Sequence, residues 1–429
     1  MAQTLKFGNG TWATKKDSIL AYNDENENYK PLPFNYTGAG KGTRVNKEGL
    51  IEVVENDRPR IDYKDSEDGV FLLEKAATNL VTYSEDFSQS AWTKSNSSIT
   101  SNSVISPDGS LNADKLKEDS TNTYHRLANV LSISNGVSYS VSIFVKRAER
   151  RYVRFASAFG SGDALTDFDI LNGTVLNGNG SIKDYGNGWF KITNNFTADS
   201  TFTSINVFQL FLLNDDKVRD YQGDGTSGVY VYGAQLETGN LSSYIPTQGT
   251  IQTRVAETAS GSGNSEVFND SEGVLFADIA ANANDLTNKG ITISDGSVNN
   301  RVTMFYTNVS NAIQVKVVVG GSNSLNSYIT IPNISLYNKF ALKYKQNDFS
   351  LYVNGFELIT DTSGITFSNG TLTELAFDRG DGGEDFYGKT KEIAYYDTVL
   401  TDLELETLTS YRSWLSMVNE LNLNVIYNG

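Results

Sequence analysis

The chain has 429 residues, with 35 Lys and Arg against 51 Asp and Glu, a formal net charge of −16. That balance excludes the clustered basic surface that nucleic acid requires. The absence of cysteine excludes disulfides and zinc–thiolate centres, and a single histidine, His125, argues against a histidine metal site or a Ser-His-Asp triad.

Thirty-seven glycines against six prolines, with 23 tyrosines, 22 phenylalanines and much Asn, Ser and Thr, predict an all-β chain of short strands and tight turns. Its length calls for two or three domains. The opening MAQTLKFGNG lacks the apolar core of a signal peptide, and no run of about 18 apolar residues occurs, so synthesis in the cytoplasm without membrane insertion is expected.

Residues 1–80 read as a turn-rich N-terminal region with too few apolar residues for a large core, suited to attachment or oligomerisation. NDENENYKPLPF (23–34) reads as a solvated loop, and TRVNKEGLIEVV (43–54) as strand, Lys-Glu-Gly turn, strand. Residues 81–250 form the first sandwich domain. SYSVSIFVK (138–146) places Tyr139, Val141, Ile143 and Val145 on one face. RYVRFASAF (151–159), WFKITNNF (189–196), SINVFQLFLL (204–213) and GVYVYGAQLE (228–237) are further strands between Gly- and Asn-rich turns.

A polar, small-residue shift at 247–266 marks a domain boundary. Residues 251–400 form a second sandwich with strands in VLFADIA (274–280), NRVTMFYTNV (300–309), AIQVKVVVGG (312–321) and KFALKYKQNDFSLYVNGFEL (339–358). Asn354-Gly355 in the last is a hairpin turn. Over 401–429, the Thr401…Glu404 capping box, with Leu405, Leu408, Tyr411, Leu415 and Val418 following at helical spacing, predicts one helix over 401–420. A short tail, LNLNVIYNG, reads as a strand.

Three stretches together resemble modules of tailed-bacteriophage virion proteins. YTGAGKGTRVNKEGLIEVVENDRPRIDY into GVFLLEKAATNLVTYSEDF (36–87) is similar to the phage segment that leads into a sandwich, with Lys75 where Pro is usual. SEDFSQSAWTKS, NADKL (112–116), GNGWFKI (186–192) and YQGDGTSGVYVYGAQLE (221–237) resemble the phage carbohydrate-binding-type jelly roll. DFSLYVNGFEL with FYGKTKEIAYYDTVLTDLELETL (386–408) is similar to a concanavalin A-like, laminin-G-like sandwich. MAQTLKFGNGTWATKK (1–16) resembles an N-terminal module shared among phage structural proteins.

The resemblance implies tandem β-sandwiches in a tail fibre, head fibre or receptor-binding protein of the virion. It further implies a homo-oligomer, commonly a trimer, whose partners are other virion proteins and a host cell-surface glycan. Release by lysis would make a signal peptide unnecessary.

Trp92 and Trp189 sit between turn residues and are expected to plug a core rather than to present a sugar platform. Sugar recognition combines an aromatic face with planar polar groups. Tyr124, Arg126, Tyr152 and Arg154 have that mix, with Val153 and Phe155 on the opposite, core-facing parity; Tyr230 and Tyr232 alternate with Val229 and Val231. A solvated sheet face is the alternative for all six. KRAERRYVR (146–154) reads as a salt-bridged surface turn or as a patch for an anionic polymer.

LAFDRGDGGEDFYG (375–388) gathers Asp378, Asp381, Glu384 and Asp385, the hard oxygens of a structural calcium site, without EF-hand spacing. The jelly-roll resemblance allows a second calcium on Glu85, Asp86 and Glu237. Nothing matches a catalytic motif, and the expected function is a non-enzymatic glycan-binding virion adhesin. A structural or decoration protein making only protein contacts is the alternative, and a polysaccharide depolymerase comes third.

Overall fold

Period-two burial decides the architecture. On the strand Ser138–Arg147, Tyr139, Val141, Ile143 and Val145 all enter one core, as their spacing predicts. The structure, a computed structural model, describes residues 4–23, 30–38, 40–157, 164–421 and 423. Among these, regular structure is almost wholly β-strand, with two short helices near the C-terminal end. No helix of the described residues is long and apolar enough to cross a membrane.

The chain forms two units, each assembled from separated segments. The first comprises Met1–Ala39, Asn56–Lys75 and Ala256–Gly429; the second comprises Gly40–Glu55 and Ala76–Val255. Residues 1–80, read from the sequence as one N-terminal region without a large core, are thus divided between the two units. Their few apolar side chains find partners far along the chain: Leu5–Gly8 pairs with Gly388–Tyr396, Leu5 opposite Tyr395, and Val70–Leu73 pairs with that same strand. TRVNKEGLIEVV forms its two strands, Thr43–Val45 and Ile51–Val53, but as part of the second unit.

In the first unit a twelve-stranded sheet faces a five-stranded one. Leu275, Ala277, Phe340, Leu342 and Leu351 of the larger sheet meet Ile291, Val302 and Val315 of the smaller in the main core. Asn354 and Gly355 take φ of 51° and 90° with Val353 opposite Phe356, the two-residue hairpin read from the sequence. The other face of the large sheet offers Val274, Phe276, Ala341, Tyr352 and Ala394, covered by Leu405 of the helix Asp402–Thr409.

That helix opens on the Thr401–Glu404 capping box. The helical stretch read over 401–420 is divided, and a second helix runs Trp414–Glu420. The division has a local cause. The hydroxyls of Thr409 and Ser410 donate back to the carbonyls of Leu405 and Glu406, Ser410 turns extended, and Ser413 caps the next helix with Ser416. The strand read in the tail and part of the 23–34 loop lie outside the described residues.

In the second unit two six-stranded sheets stack. One has the order Trp92–Ser95, Arg126–Ile133, Phe202–Leu213, Tyr152–Ser157, Ala164–Asp169, Thr174–Asn177. The other has the order Ser97–Ile105, Leu111–Glu118, Gly228–Thr238, Ser138–Arg147, Trp189–Thr197, Ser181–Asp184. Val153, Phe155, Phe208 and Leu210 pack against Leu116, Ile143, Ile192 and Val231 between them.

A smaller core lies on the far face of the second sheet, where Phe144, Trp189 and Tyr232 are closed over by Tyr244 and by Val45 and Ile51 of the 43–53 hairpin. Trp92 and Trp189, one in each core, are both 1% exposed. Their indole N–H groups donate to the carbonyls of Tyr83 at 2.8 Å and Ile105 at 3.1 Å. Both are plugs, as expected.

Candidate functional site

A pocket of about 660 Å³ lies in the second unit, within the size range of small-ligand sites. It is lined by Tyr83, by the carboxylates of Glu85, Asp86 and Asp114, and by the amides of Gln89, Asn112, Gln248 and Gln252. The loop 83–89, the strand Leu111–Glu118 and the segment from Gln248 to the strand Gln252–Arg254 supply them. Tyr83 and Gln248 are held together by an isolated β-bridge. Asp86 folds its own loop: its carboxylate accepts the Ser88 N–H at 3.0 Å and the Gln89 amide at 2.6 Å. From its strand Asp114 accepts backbone N–H groups from Phe87 at 3.0 Å and Asn102 at 3.0 Å, fastening the 83–89 loop to the sheet.

The electrostatics separate these acids. Burial pushes Glu85 above the ordinary carboxyl value, against the hydrogen bonds that Tyr244 and Tyr232 donate to it at 2.9 and 3.1 Å. Burial likewise raises Asp114. Asp86 stays low because the hydrogen bonds from Ser88 and Gln89 outweigh its desolvation. The Asn112 amide donates to Asp108 at 3.0 Å, while its buried Oδ1 meets no partner among the described residues. The lining is thus rich in acceptors and in planar polar groups, with one phenol ring. Its chemistry suits a ligand that brings many hydroxyl donors.

Arg126, Tyr152 and Arg154 lie on the outer face of the first six-stranded sheet, and Tyr124, on the two-stranded pair of Asn122–Tyr124 with Asp220–Gln222, stands beside Arg126. Arg126 and Arg154 lie on strands flanking Phe211 and both pair with it in register. Cations already stand by the ring faces: Arg126 and Arg219 lie 5.5 and 5.8 Å from the Tyr124 centroid, and Arg151 lies 4.9 Å from that of Tyr152. Arg154 is held bidentately by Asp167, at 2.6 and 2.9 Å. KRAERRYVR is correspondingly salt-bridged, Arg150 to Glu118 and Arg151 to Asp169.

Tyr232 departs from the sequence reading. Val229 and Val231 face the main core, so Tyr232 points the other way, but into the second core and not to an open face; it is 2% exposed, and its hydroxyl donates towards Glu85 and Asp108. Tyr230 is half-buried beside it.

The carboxylates read as calcium ligands have partners within the chain. Arg379 pairs with Asp381 at 2.8 Å and Glu384 at 3.3 Å, Asp385 accepts the Tyr387 hydroxyl at 3.0 Å, and Asp378 accepts the Gly380 N–H. Glu237 accepts from the Ser242 N–H and hydroxyl, whereas Glu85 and Asp86 line the pocket. Among the described residues no three Asp, Glu, His or Cys side chains converge as a metal-ion set. The pocket amides come from stretches without a common motif; Asp86 followed by Ser88 and Gln89 was the one local signal.

No protein-family model matches the chain, and no curated protein matches it. Among solved structures, it is similar to the Ruminococcus gnavus IT-sialidase CBM40 bound to α2,3-sialyllactose, at 17% identity and a TM-score of 0.28, over 35% of this chain and 94% of that one. It is also similar to the mouse laminin α1 chain domains LG4-5, at 12% identity and a TM-score of 0.24, over 64% and 86% of the respective chains. The Trypanosoma rangeli sialidase in complex with the inhibitor DANA aligns at 10% identity and a TM-score of 0.29, over 94% and 84%. Likenesses at these scores carry no argument about what this chain does.

Proposed function

We propose that this chain is a non-enzymatic glycan-binding protein of a tailed-phage virion, an adhesin that holds host cell-surface polysaccharide in the second unit's pocket. The observation that carries the reading is the pocket lining itself: amides and carboxylates rich in acceptors, with Asp114 and Asp86 held by backbone N–H groups and Gln89 by Asp86, and with the Tyr83 ring and Lys41 beside them. Weak sugar affinity per site would be multiplied by copy number, and a homo-oligomer, a trimer by the phage resemblance, would supply the copies.

The test is a glycan array probed with multimerised protein. Wild type is expected to bind neutral, hydroxyl-rich glycans, and Gln248→Ala combined with Gln89→Ala to lose about tenfold in affinity. Binding to no glycan would overturn the reading. Incubation with a bound polysaccharide is expected to leave its chain length unchanged; shortened chains would assign cleavage instead. A purely structural role in the virion predicts intact host attachment by phage carrying the double variant.

A further inference from the structure

The first unit contains a cavity of about 340 Å³ that the reading above does not use. Its origin lies in strand parity. On Glu272–Ala281, Leu275, Ala277 and Ile279 face the main core, so Val274, Phe276 and Asp278 share the opposite face. Val274 and Phe276 are covered there by the helix Asp402–Thr409. Asp278 continues the same row to where that helix ends and the cavity opens.

Asp278 is 6% exposed, lines the cavity, and its Oδ1 meets no hydrogen-bond partner among the described residues. It sits in register between Lys339 on one neighbouring strand and Glu392 on the other. Lys339 does not bond it; its ammonium donates to the Ser410 carbonyl at 3.1 Å. Arg412, exposed at the cavity edge, donates among the described residues to the Asn9 side-chain oxygen alone, at 3.3 Å. The other lysines here are neutralised, Lys6 by Glu392 and Lys391 by Glu420. Two cations with neutral partners thus look into a cavity whose floor holds an acceptor with nothing to accept. The walls also include Phe276 and Leu408, and one further carboxylate, Asp68.

This combination selects a ligand. An anionic group would satisfy Lys339 and Arg412. A hydroxyl donor beside it would satisfy Asp278, and a C–H face would suit the apolar wall. We propose that the cavity binds the carboxylate-bearing sugar residue of an acidic polysaccharide, its carboxylate on Lys339 and Arg412 and a ring hydroxyl donating to Asp278. The site uses none of the second unit's pocket residues and stands or falls separately from it.

Calorimetric titration of the full chain with the methyl glycosides of glucuronate and galacturonate tests this, with the matching neutral methyl hexosides and open-chain gluconate as comparisons. Saturable binding of a uronoside alone is expected, with Arg412→Ala and Asp278→Asn each weakening it about tenfold or more. Arg412 is exposed, so its variant should retain the wild-type unfolding curve, and any loss of binding reports on the site. No uronoside binding at concentrations on the order of 10 mM would overturn the proposal. So would equal binding of the neutral hexosides, equal binding of gluconate, or affinity unchanged in Arg412→Ala. Gln248→Ala with Gln89→Ala should leave uronoside binding intact, which keeps this outcome distinct from that of the second unit's pocket.

Discussion

Arg60 and Glu257, 197 residues apart in sequence, meet inside the first unit as a bidentate pair, Nε donating to Oε1 at 2.7 Å and the terminal guanidinium N–H to Oε2. Glu74 accepts from the same guanidinium at 2.8 Å, and the Tyr36 hydroxyl donates to Glu257 at 2.7 Å. Arg60 is 1% exposed and Glu257 3%. The cluster ties together all three segments from which the first unit is built.

Removing Glu257 leaves Arg60 with Glu74 alone and strips the buried Tyr36 hydroxyl and Glu74 N–H of their acceptor. Glu257→Ala is therefore expected to cost the first unit about 3–5 kcal/mol. Denaturant titration of wild type and variant checks this, and a loss below about 1 kcal/mol would show that the pair is solvated in solution.

Asp278 gives a pH signature. Burial pushes its carboxyl up to about 7, against the attraction of Lys391 and Lys339 and with the repulsion of Glu420 and Glu392. Between the ordinary value of 3.8 and about 7 the folded chain holds a proton that the unfolded chain has released. Stability must fall as pH rises through that window and level off above it. Asp278→Asn is expected to flatten this slope and to be more stable than wild type at pH 8 by about 2–4 kcal/mol. Thermal unfolding across pH 4 to 8 reads it directly, and parallel curves for the two proteins would refute it.

The two buried tryptophans should behave alike in energy and differently in kind. Trp92 packs edge-on to Phe208 with centroids 5.0 Å apart, and Trp92→Ala is expected to cost about 3–5 kcal/mol through a cavity between the main sheets. Trp189→Ala should cost a similar amount but loosen the 43–53 hairpin that closes its core. Hydrogen exchange at residues 43–53, faster in Trp189→Ala and unchanged in Trp92→Ala, distinguishes them.

Ser413 caps the second helix by accepting the Ser416 N–H at 3.1 Å. Ser413→Ala is expected to cost about 1 kcal/mol, seen as faster amide exchange over Trp414–Glu420. Unchanged exchange there would mean that packing of Val418 alone holds the helix.

Local regularities were legible in the sequence. The parity of 138–146, the Asn354-Gly355 turn and the Thr401 capping box each depend on neighbours within a few residues. Membership of the units was not legible, because Leu5 opposite Tyr395 is a pairing that no local pattern announces. The helix break escaped for another reason: Leu405 to Val418 keeps helical spacing, and only the competing hydroxyls of Thr409 and Ser410 interrupt it.

Of the candidate site, Glu85 and Asp86 were read as calcium ligands, and their neighbours Asn112 and Gln248 went unremarked. Single amides far apart look like ordinary surface until folding gathers them. Tyr232 was misplaced because parity fixes the side of a sheet and cannot say that a distant hairpin will cover it.

The interleaved path of the chain also bears on how such genes recombine. Because the 43–53 hairpin belongs to the second unit while 56–75 belongs to the first, a crossover between them that imports a foreign second unit strands one piece of each body with the wrong relative. Exchange by a cut near residue 80 would leave Phe144 and Trp189 without their lid. A swap that keeps the second unit whole must therefore move residues 40–255 as one block, carrying the 56–75 strands along and demanding that any recipient accept them.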